Sequence, residues 1–336
     1  MANSSLNSHV PRLFATLESA DTTSRDVPDD CTEFFRFRFG ANGENFASNV
    51  FPLAIKPIGV KTCDEVWYTH GPTKIHEDQG IKIVESPDYL VLHVEHAISA
   101  DSIGTVTESC YYRLYELAQN LGYEHLQRAW NYLPQINQGK GDNERYRQFS
   151  FGRSIAFEKL GLTKNQFPAA TAIGTDNDSS LTITLIAAKQ SCVMLENPRQ
   201  VSAYEYPQQY GKRGPSFSRA ALVPAENYYQ LLISGTASII GHASHHTDNI
   251  IQQCKEAMLN IDTLIGVASS EFGNPSAYAN DWSHACFRVY LRQADDLNII
   301  RNEIADKLVP LAHIVFLRGD ICREELMVEI EGNYLI

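Results

Sequence analysis

Long apolar runs are missing from this chain of 336 residues, and basic residues are in short supply. No stretch of about 18 apolar residues occurs, so the sequence predicts no membrane-spanning helix. Lysine and arginine number 28 against 40 acidic residues, which gives a formal net charge of -12. This charge repels nucleic-acid phosphates and anionic bilayers, and no basic cluster offsets it locally. Nucleic acid and membrane are therefore not expected partners.

Paired cysteines are also missing, because the 7 cysteines are scattered without the spacing of a zinc knuckle or a disulfide scaffold. The chain also lacks a basic N-terminal segment followed by an apolar run. Free thiols and no targeting segment favour a reducing, cytoplasmic location. The cysteines are Cys31, Cys63, Cys110, Cys192, Cys254, Cys286 and Cys322.

Familiar catalytic motifs are absent too, including Gly-rich phosphate loops and a Gly-x-Ser-x-Gly elbow. The segment GHASHHTDN contains His242, His245 and His246, but their spacing matches no metal-ligand signature. The segment precedes a helix, where Thr247 or Asp248 is a suitable N-cap. We therefore predict neither a metal nor a cofactor.

What the chain does contain is a repeated order of elements. Residues 1–30 are rich in Ser, Thr, Asp and Asn and are predicted to be a flexible segment. Residues 31–195 and 196–336 each indicate a strand, a helix, a strand, a second helix and final strands. This order predicts an α+β fold with helices on one face of a sheet in each half.

The spacing of matched residues supports a duplication. From proline to cysteine the distance along the chain is 38 residues in the first half and 39 in the second; from cysteine to glycine it is 12 in both. Two unrelated α+β segments of similar length remain the alternative, but matched periods favour duplication. In each half the glycine is predicted to end the helix that carries the cysteine. The matched residues are Pro72, Cys110 and Gly122, then Pro215, Cys254 and Gly266.

The terminal segment ICREELMVEIEGNYLI brings reactive side chains together. Val328 and Ile330 alternate with Glu329 and Glu331, so both carboxyl groups lie on one face of a predicted strand whose other face is apolar. Burial beside such a sheet face raises the pKa of a carboxyl group, which can then act as an acid near neutral pH. The alternative is a solvated edge strand with Cys322 as an unreactive thiol.

Three segments of the second half resemble the RidA/YjgF enamine-deaminase superfamily: GPSFSRAALVPAENYYQLLISGTASIIG, NIIQQCKEAMLNIDTLIG and MVEIEGNYL. The resemblance covers about Gly214 to Ile336, and the first half matches more faintly. Simple members have an arginine near the start of the penultimate strand. This chain reads PLAHIVFL there, with Ala312 and His313, and this difference argues against plain imine hydrolysis.

From about Phe34 onward, the chain resembles the chorismatases, enzymes that cleave chorismate into pyruvate and a cyclohexadiene or benzoate acid. The resemblance implies a catalytic acid at Glu329, a cysteine at Cys322 and a small residue at Gly235. Glycine with this cysteine resembles the branch that makes 3-hydroxybenzoate, whereas the hydrolytic branch tends to have alanine. The implied fold is two RidA/YjgF-like halves, each a mixed sheet with helices on one face. Most of the active site is expected in residues 196–336.

Chorismate is a dianion, so its binding requires fixed cations, and arginine holds carboxylates through paired hydrogen bonds. Arg219 is the first candidate because it follows the loop that lines the pocket in the resembling family. A surface ion pair or loop packing is the alternative for each candidate. The other candidates for substrate binding are Arg147, Arg153, Arg288, Arg301, Tyr206 and Tyr210.

The resemblance thus implies a cofactor-free enzyme that acts on chorismate as a monomer or homotrimer. Glu329 would protonate the enolpyruvyl methylene carbon, Cys322 would relay protons or shape the site, and Gly235 would leave room for the ring. The expected products are 3-hydroxybenzoate and pyruvate, with some 4-hydroxybenzoate left open. Hydrolysis to 3,4-dihydroxycyclohexa-1,5-dienoate and pyruvate is one alternative. A RidA-like ligand-binding or enamine-deaminase protein is another.

Overall fold

The structure is a computed structural model that describes residues 13–18, 30–41, 46–98, 102–176, 180–225, 228–271, 285–305, 307 and 313–336. The helices are α1 (Ile103–Asn120), α2 (Arg145–Lys159), α3 (Ile250–Glu271) and α4 (Leu297–Ala305). The strands are β1 (Leu13–Glu18), β2 (Cys31–Phe39), β3 (Val50–Leu53), β4 (Lys56–Pro57), β5 (Cys63–His70), β6 (Lys74–Asp78), β7 (Ile81–Glu85), β8 (Tyr89–Ala97), β9 (His125–Pro134), β10 (Ala169–Thr175), β11 (Ser180–Ala188), β12 (Val193–Leu195), β13 (Ala220–Pro224), β14 (Tyr229–Thr236), β15 (Ile239–Ile240), β16 (Ala243–Ser244), β17 (Cys286–Leu291), β18 (Ile314–Arg318) and β19 (Val328–Leu335).

Each predicted half contains most of one mixed sheet. The first has the order β10-β9-β11-β8-β7-β6, and the second has the order β12-β13-β14-β19-β17-β18-β4. One parallel pair occurs in each, β9 with β10 and β17 with β18. Helices α1 and α2 pack on one face of the first sheet, and α3 and α4 pack on one face of the second. The predicted α+β class with helices on one face of each mixed sheet is confirmed.

A third sheet, which was not predicted, has the order β1-β5-β2-β3. Aromatic residues of this sheet, including Phe35 and Trp67, share a core with Tyr132 of the first mixed sheet and Tyr290 of the second. The three sheets therefore enclose one core on the faces away from the helices. In addition, β4 and β12, whose residues come before 196, pair with strands of the second mixed sheet. The division of the chain into halves between residues 195 and 196 stays a prediction.

The start of the chain differs from the prediction of a flexible segment over residues 1–30. Leu13–Glu18 forms a strand that pairs with β5, and Leu13 and Ala15 are buried. Together with Leu17 they occupy alternate positions and form one apolar face, which packs in the shared core. The ring of Phe14 stacks on that of Tyr68 with centroids 5.3 Å apart. Residues 1–12 and 19–29 lie outside the described residues.

The two predicted helix ends have different outcomes. Helix α1 ends before Gly122, which adopts a φ of 84°, the left-handed conformation that favours glycine. Helix α3 instead continues through Gly266 to Glu271, so the predicted end at Gly266 is wrong. Nothing lies within 4 Å of a β-carbon placed at this glycine. Gly266 is therefore an exposed glycine within α3, and the apolar face of this helix packs against the second mixed sheet.

The predicted cap of α3 is also wrong. The side-chain oxygen of Asn249 accepts a hydrogen bond of 3.1 Å from the backbone N–H of Gln252, so the N-cap is Asn249 and not Thr247 or Asp248. Asparagine is among the best N-cap residues because its short side chain reaches the first unpaired N–H groups.

No helix among the described residues is long and apolar enough to cross a membrane.

Strand β19 lies in the interior of the second mixed sheet, between β14 and β17. Glu329 is 4% exposed and Glu331 is 1% exposed, so the alternative of a solvated edge strand is wrong. Glu329 is paired in register with Tyr290 and Glu331 with Arg288. Because facing residues in an antiparallel pair point to the same side, both glutamates face away from the helices.

Candidate active site

A cavity of about 540 Å³ opens between the two predicted halves. Its floor comes from β14 and β19, and its walls come from the N-terminal part of α2 and the loops before β13 and β19. The residues that line it are Asn137, Gly139, Lys140, Glu144, Tyr146, Arg147, Gln200, Tyr206, Gln209, Tyr210, Pro215, Phe217, Arg219, Gly235, Ala237, Ile239, Cys322, Arg323, Glu324, Glu325, Leu326 and Glu329.

Glu329 is the buried carboxyl group on the floor of the cavity. Burial raises its pKa to about 8, and the neighbouring charge of Glu331 adds to the shift. Arg128 and Arg219 oppose the shift without cancelling it. The carboxyl group of Glu329 is therefore mainly protonated at neutral pH, which is the state that a general acid requires.

A fully buried ionic network lies directly behind Glu329. Arg288 binds Glu65 through Nη2 and Oε1 at 2.6 Å and Glu331 through Nη1 and Oε1 at 3.2 Å. Arg128 forms a second ion pair with Glu331. Two guanidinium groups and two carboxylates thus balance one another, and an ionised Glu329 would add a buried negative charge without a partner. Further bonds to Glu331 come from the hydroxyl groups of Thr171 and Tyr290.

Gly235 lies against the Glu329 carboxyl group. A β-carbon at position 235 would overlap Oε1 of Glu329 and would stand 2.9 Å from its Cδ and 3.1 Å from Cγ2 of Thr171. Real β-carbons rarely approach other atoms so closely. Any larger residue at position 235 would therefore displace the acid from its position, and the glycine is needed for close approach rather than for backbone freedom.

Cations and tyrosines form the wall above this floor. Nη2 of Arg219 donates hydrogen bonds to the carbonyl oxygen of Val201 at 2.9 Å and to the hydroxyl of Tyr206 at 2.7 Å. Arg323 lies 4.0 Å from the ring centroid of Tyr210 and donates to Ser244 Oγ at 3.0 Å. Both guanidinium groups line the cavity and retain donors for an anion.

Cys322 lines the same cavity as Glu329. Burial raises the pKa of its thiol to about 12, and the charge of Glu329 contributes. The thiol therefore stays protonated at neutral pH. It can donate a proton or pack against the substrate, but it is not a ready thiolate nucleophile.

Of the predicted substrate-binding residues, Arg147, Arg219, Gly235, Tyr206 and Tyr210 all line the cavity. Nε of Arg147 is already bonded to Glu144 Oε2 at 3.0 Å. None of the histidines in the segment GHASHHTDN lines the cavity, but His242 Nδ1 lies 3.3 Å from the hydroxyl of Tyr210, which does. Within the described ranges, no group of three His, Cys, Asp or Glu side chains is arranged to hold a metal ion.

Three predicted arginines lie elsewhere, so their assignment to direct substrate contact is not supported. Arg288 is enclosed by the ionic network, and Arg301 is exposed on α4. Arg153 is buried behind the cavity wall, with its guanidinium 5.0 Å from the ring centroid of Phe149 and 5.9 Å from that of Phe217. Groups from distant segments hold two of these side chains, Glu65 that of Arg288 and Phe217 that of Arg153, and spacing along the chain does not reveal such partners.

Sequence reasoning missed Arg128, Thr171 and Arg323. Arg128 interrupts the apolar strand sequence LQRAWNYLP, and a charged residue in such a strand indicates a buried partner. Arg323 directly follows Cys322, so the sequence alone could have predicted that it lies near the site. Thr171 gave no comparable signal, because threonine is common in strands.

Comparison with known proteins places this chain in a family. A chorismatase from Streptomyces rapamycinicus is 35% identical over 274 residues, which cover 80% of this chain and 81% of the relative. The chain belongs to the chorismatase family. Another relative, a 3-hydroxybenzoate synthase from Streptomyces hygroscopicus, is 35% identical over 281 residues, which cover 80% of each chain. The family described as chorismatase FkbO/Hyg5-like, N-terminal, matches residues 65–187. A crystal structure of a chorismatase superposes with a TM-score of 0.85 at 30% identity, covering 96% of this chain and 98% of the other.

Proposed function

We propose that this chorismatase converts chorismate to 3-hydroxybenzoate and pyruvate. The observation that carries the proposal is the protonated carboxyl group of Glu329, buried on the floor of a cavity whose wall contains Arg219 and Arg323. A dianionic vinyl ether needs both an acid and fixed cations. The relatives named chorismatase and 3-hydroxybenzoate synthase support the same substrate and product.

The reaction begins at the enolpyruvyl group. Arg219 and Arg323 hold the two carboxylates, and Tyr206 and Tyr210 add hydroxyl donors. Glu329 transfers its proton to the methylene carbon, which produces an oxocarbenium ion. The carboxylate left on Glu329 then stabilises this cation. The oxygen of the ring hydroxyl at carbon 4 then bonds to carbon 3 as the bond between carbon 3 and the ether oxygen breaks, which releases pyruvate, and the Glu329 carboxylate takes up the hydroxyl proton. The epoxide opens at carbon 4, carbon 3 loses its proton and the oxygen on carbon 3 gains one, which gives 3-hydroxybenzoate without consumption of water.

Gly235 and Cys322 distinguish this route from hydrolysis. Gly235 keeps the Glu329 carboxyl group close to the floor and leaves space for the ring. The protonated thiol of Cys322 lies beside the acid, where it assists proton transfer during aromatisation or excludes water. Hydrolysis to the dihydroxycyclohexadienoate consumes one water molecule, so exclusion of water favours the aromatic product.

Incubation of the purified protein with chorismate, followed by liquid chromatography and mass spectrometry, tests this function. We expect equal amounts of pyruvate and 3-hydroxybenzoate. A product heavier by one water, the dihydroxycyclohexadienoate, would instead establish the hydrolytic alternative. Binding of chorismate without pyruvate release would refute both enzymatic routes and leave a RidA-like binding protein.

The raised pKa of Glu329 predicts a pH dependence. Turnover requires the protonated acid, so kcat is expected to be constant around neutral pH and to fall as the pH rises through about 8. Initial rates of pyruvate release at saturating chorismate from pH 6 to 10 would measure this. A kcat that stays constant across that range would exclude Glu329 as the acid in the slow step.

Cys322→Ala tests the role of the thiol. The change removes a proton donor and a small volume from the cavity wall, so we expect a larger fraction of 4-hydroxybenzoate or dihydroxycyclohexadienoate with little change in KM. Chromatographic product ratios would measure the effect. Cys63→Ala is the control, because Cys63 is a buried free thiol in the shared core and does not line the cavity. An unchanged ratio in the Cys322 variant would reduce this residue to a packing role.

A further inference from the structure

The register of β14 against β19 breaks at the strand segment that carries Gly235. Ile233 is paired with Gly332 and Thr236 with Ile330, so two residues of β14, Ser234 and Gly235, lie opposite one residue of β19. This is a β-bulge, which bends a strand and leaves backbone groups without ladder partners. Some other part of the molecule must therefore satisfy those groups and hold the bulge in place.

Strand β10 of the other half contacts both residues of the bulge and supplies a partner for the backbone N–H of Gly235. The backbone N–H of Ala170 donates to Ser234 Oγ at 2.9 Å, and Ser234 Oγ donates to the carbonyl oxygen of Ser218 at 2.6 Å. The backbone N–H of Gly235 donates to the hydroxyl of Thr171 at 2.9 Å. The position of the bulge thus depends on side-chain hydroxyl groups across the contact between the halves.

The hydroxyl of Thr171 has no free hydrogen-bonding capacity. It accepts bonds from Gly235 N–H at 2.9 Å and from Arg128 Nη2 at 2.6 Å, and it donates its only proton to Glu331. A threonine hydroxyl has one donor and two acceptor sites, so all three are used. Thr171 is 3% exposed and does not line the cavity among the described residues. It therefore acts through its neighbours and not on the substrate.

We propose that Thr171 is a positioning residue for product choice, because its hydroxyl ties the Gly235 bulge to the Glu331 network and thereby sets where the Glu329 acid stands. The inference rests on the proposed function. Gly235 and Glu329 are in such close contact that a small movement of the bulge changes the space available to the acid. Proton delivery to the methylene carbon and shielding of the cation from water depend on this geometry.

Thr171→Val tests the proposal, because valine keeps the shape and removes the hydroxyl. We expect a fall in kcat of about 10- to 100-fold, a larger fraction of 4-hydroxybenzoate and dihydroxycyclohexadienoate, and a displaced upper limb of the pH profile. Thr171→Ser keeps the hydroxyl and is expected to retain the wild-type product ratio. A stable Thr171→Val variant with the wild-type ratio and pH profile would overturn the proposal.

Thr184→Val is the matched control. Thr184 is also fully buried in the first mixed sheet, and its hydroxyl is 2.8 Å from His93 Nδ1, away from the cavity. This variant is expected to lose stability but to keep the product ratio. An equal shift of the ratio in both valine variants would show general loosening and would also overturn the proposal.

A variant that does not fold still leaves a decisive comparison. If Thr171→Val is unfolded, Thr171→Ala and Thr171→Ser are compared, since both remove the methyl group and only serine keeps the hydroxyl. Equal product ratios in these two variants would exclude a role for the hydroxyl, and a shift confined to alanine would support it. Failure of the proposed function is seen separately, because the wild-type protein would then form no 3-hydroxybenzoate from chorismate.

Discussion

Glu329→Gln is expected to lower kcat for pyruvate release from chorismate by about 100- to 10,000-fold, which is the range for loss of a general acid. Glutamine has nearly the shape of a protonated glutamic acid but carries no acidic proton. Initial rates of pyruvate release would measure the effect, and chorismate binding by calorimetry would show that the cavity is intact. Glu116→Gln, on the exposed face of α1, is the control and should retain full activity.

Full activity in the Glu329 variant would remove this residue from the acid role.

The pH dependence of the free energy of unfolding tests the pKa of Glu329 independently, since its folded pKa of about 8 lies above its ordinary value of 4.5. The folded state then binds more protons than the unfolded state between these values, so Glu329 lowers stability as the pH rises from about 4.5 to about 8. Glutamine does not titrate, and the variant should lack this part of the pH dependence.

Arg128→Met is expected to lower the free energy of unfolding by about 3–5 kcal/mol, the cost of breaking a buried ion pair from one side. Arg128 is 1% exposed, pairs with Glu331 and stacks over Trp130 at 4.9 Å. Methionine replaces the stem but leaves the buried network with one excess negative charge. Equilibrium unfolding in urea, with the m-value checked against wild type, would measure the loss.

The control for this change is Arg318→Met. Arg318 binds Asp320 at 3.0 Å, but both side chains are partly exposed, at 26% and 24%. Solvent screens such a pair, and its loss is expected to cost at most about 1 kcal/mol. If Arg128→Met costs no more than Arg318→Met, the buried network contributes no more to stability than a partly exposed ion pair does.

Sequence patterns predicted local structure well where one face of an element is apolar. The apolar face of α1 and the glycine after it predicted both the helix and its end. The same rule failed for α3, because a glycine ends a helix only where the backbone turns left-handed, and Gly266 does not. Likewise, Ser- and Asp-rich composition hid β1, whose apolar residues are held by a partner strand from elsewhere in the chain.

Site residues were predictable to the extent that they are close in sequence or carried by a family motif. Cys322 and Glu329 lie on one terminal segment, and both line the cavity. The arginines show the limit of this reasoning. Arg219 directly precedes β13 and Arg288 lies within β17, and both are buried. Arg219 nevertheless reaches the cavity, whereas Arg288 is enclosed by Glu65, which lies on another sheet.

The sequence by itself determined the α+β class, the repeated order of elements and the placement of Glu329 and Glu331 on one face of the last strand. Only the tertiary structure decided that this face is buried and that the two carboxyl groups differ. Glu331 meets Arg128 and Arg288, which come from two different sheets, and Glu329 meets the cavity. Burial and charge compensation depend on neighbours far apart in the chain, and these neighbours make one glutamate structural and the other acidic.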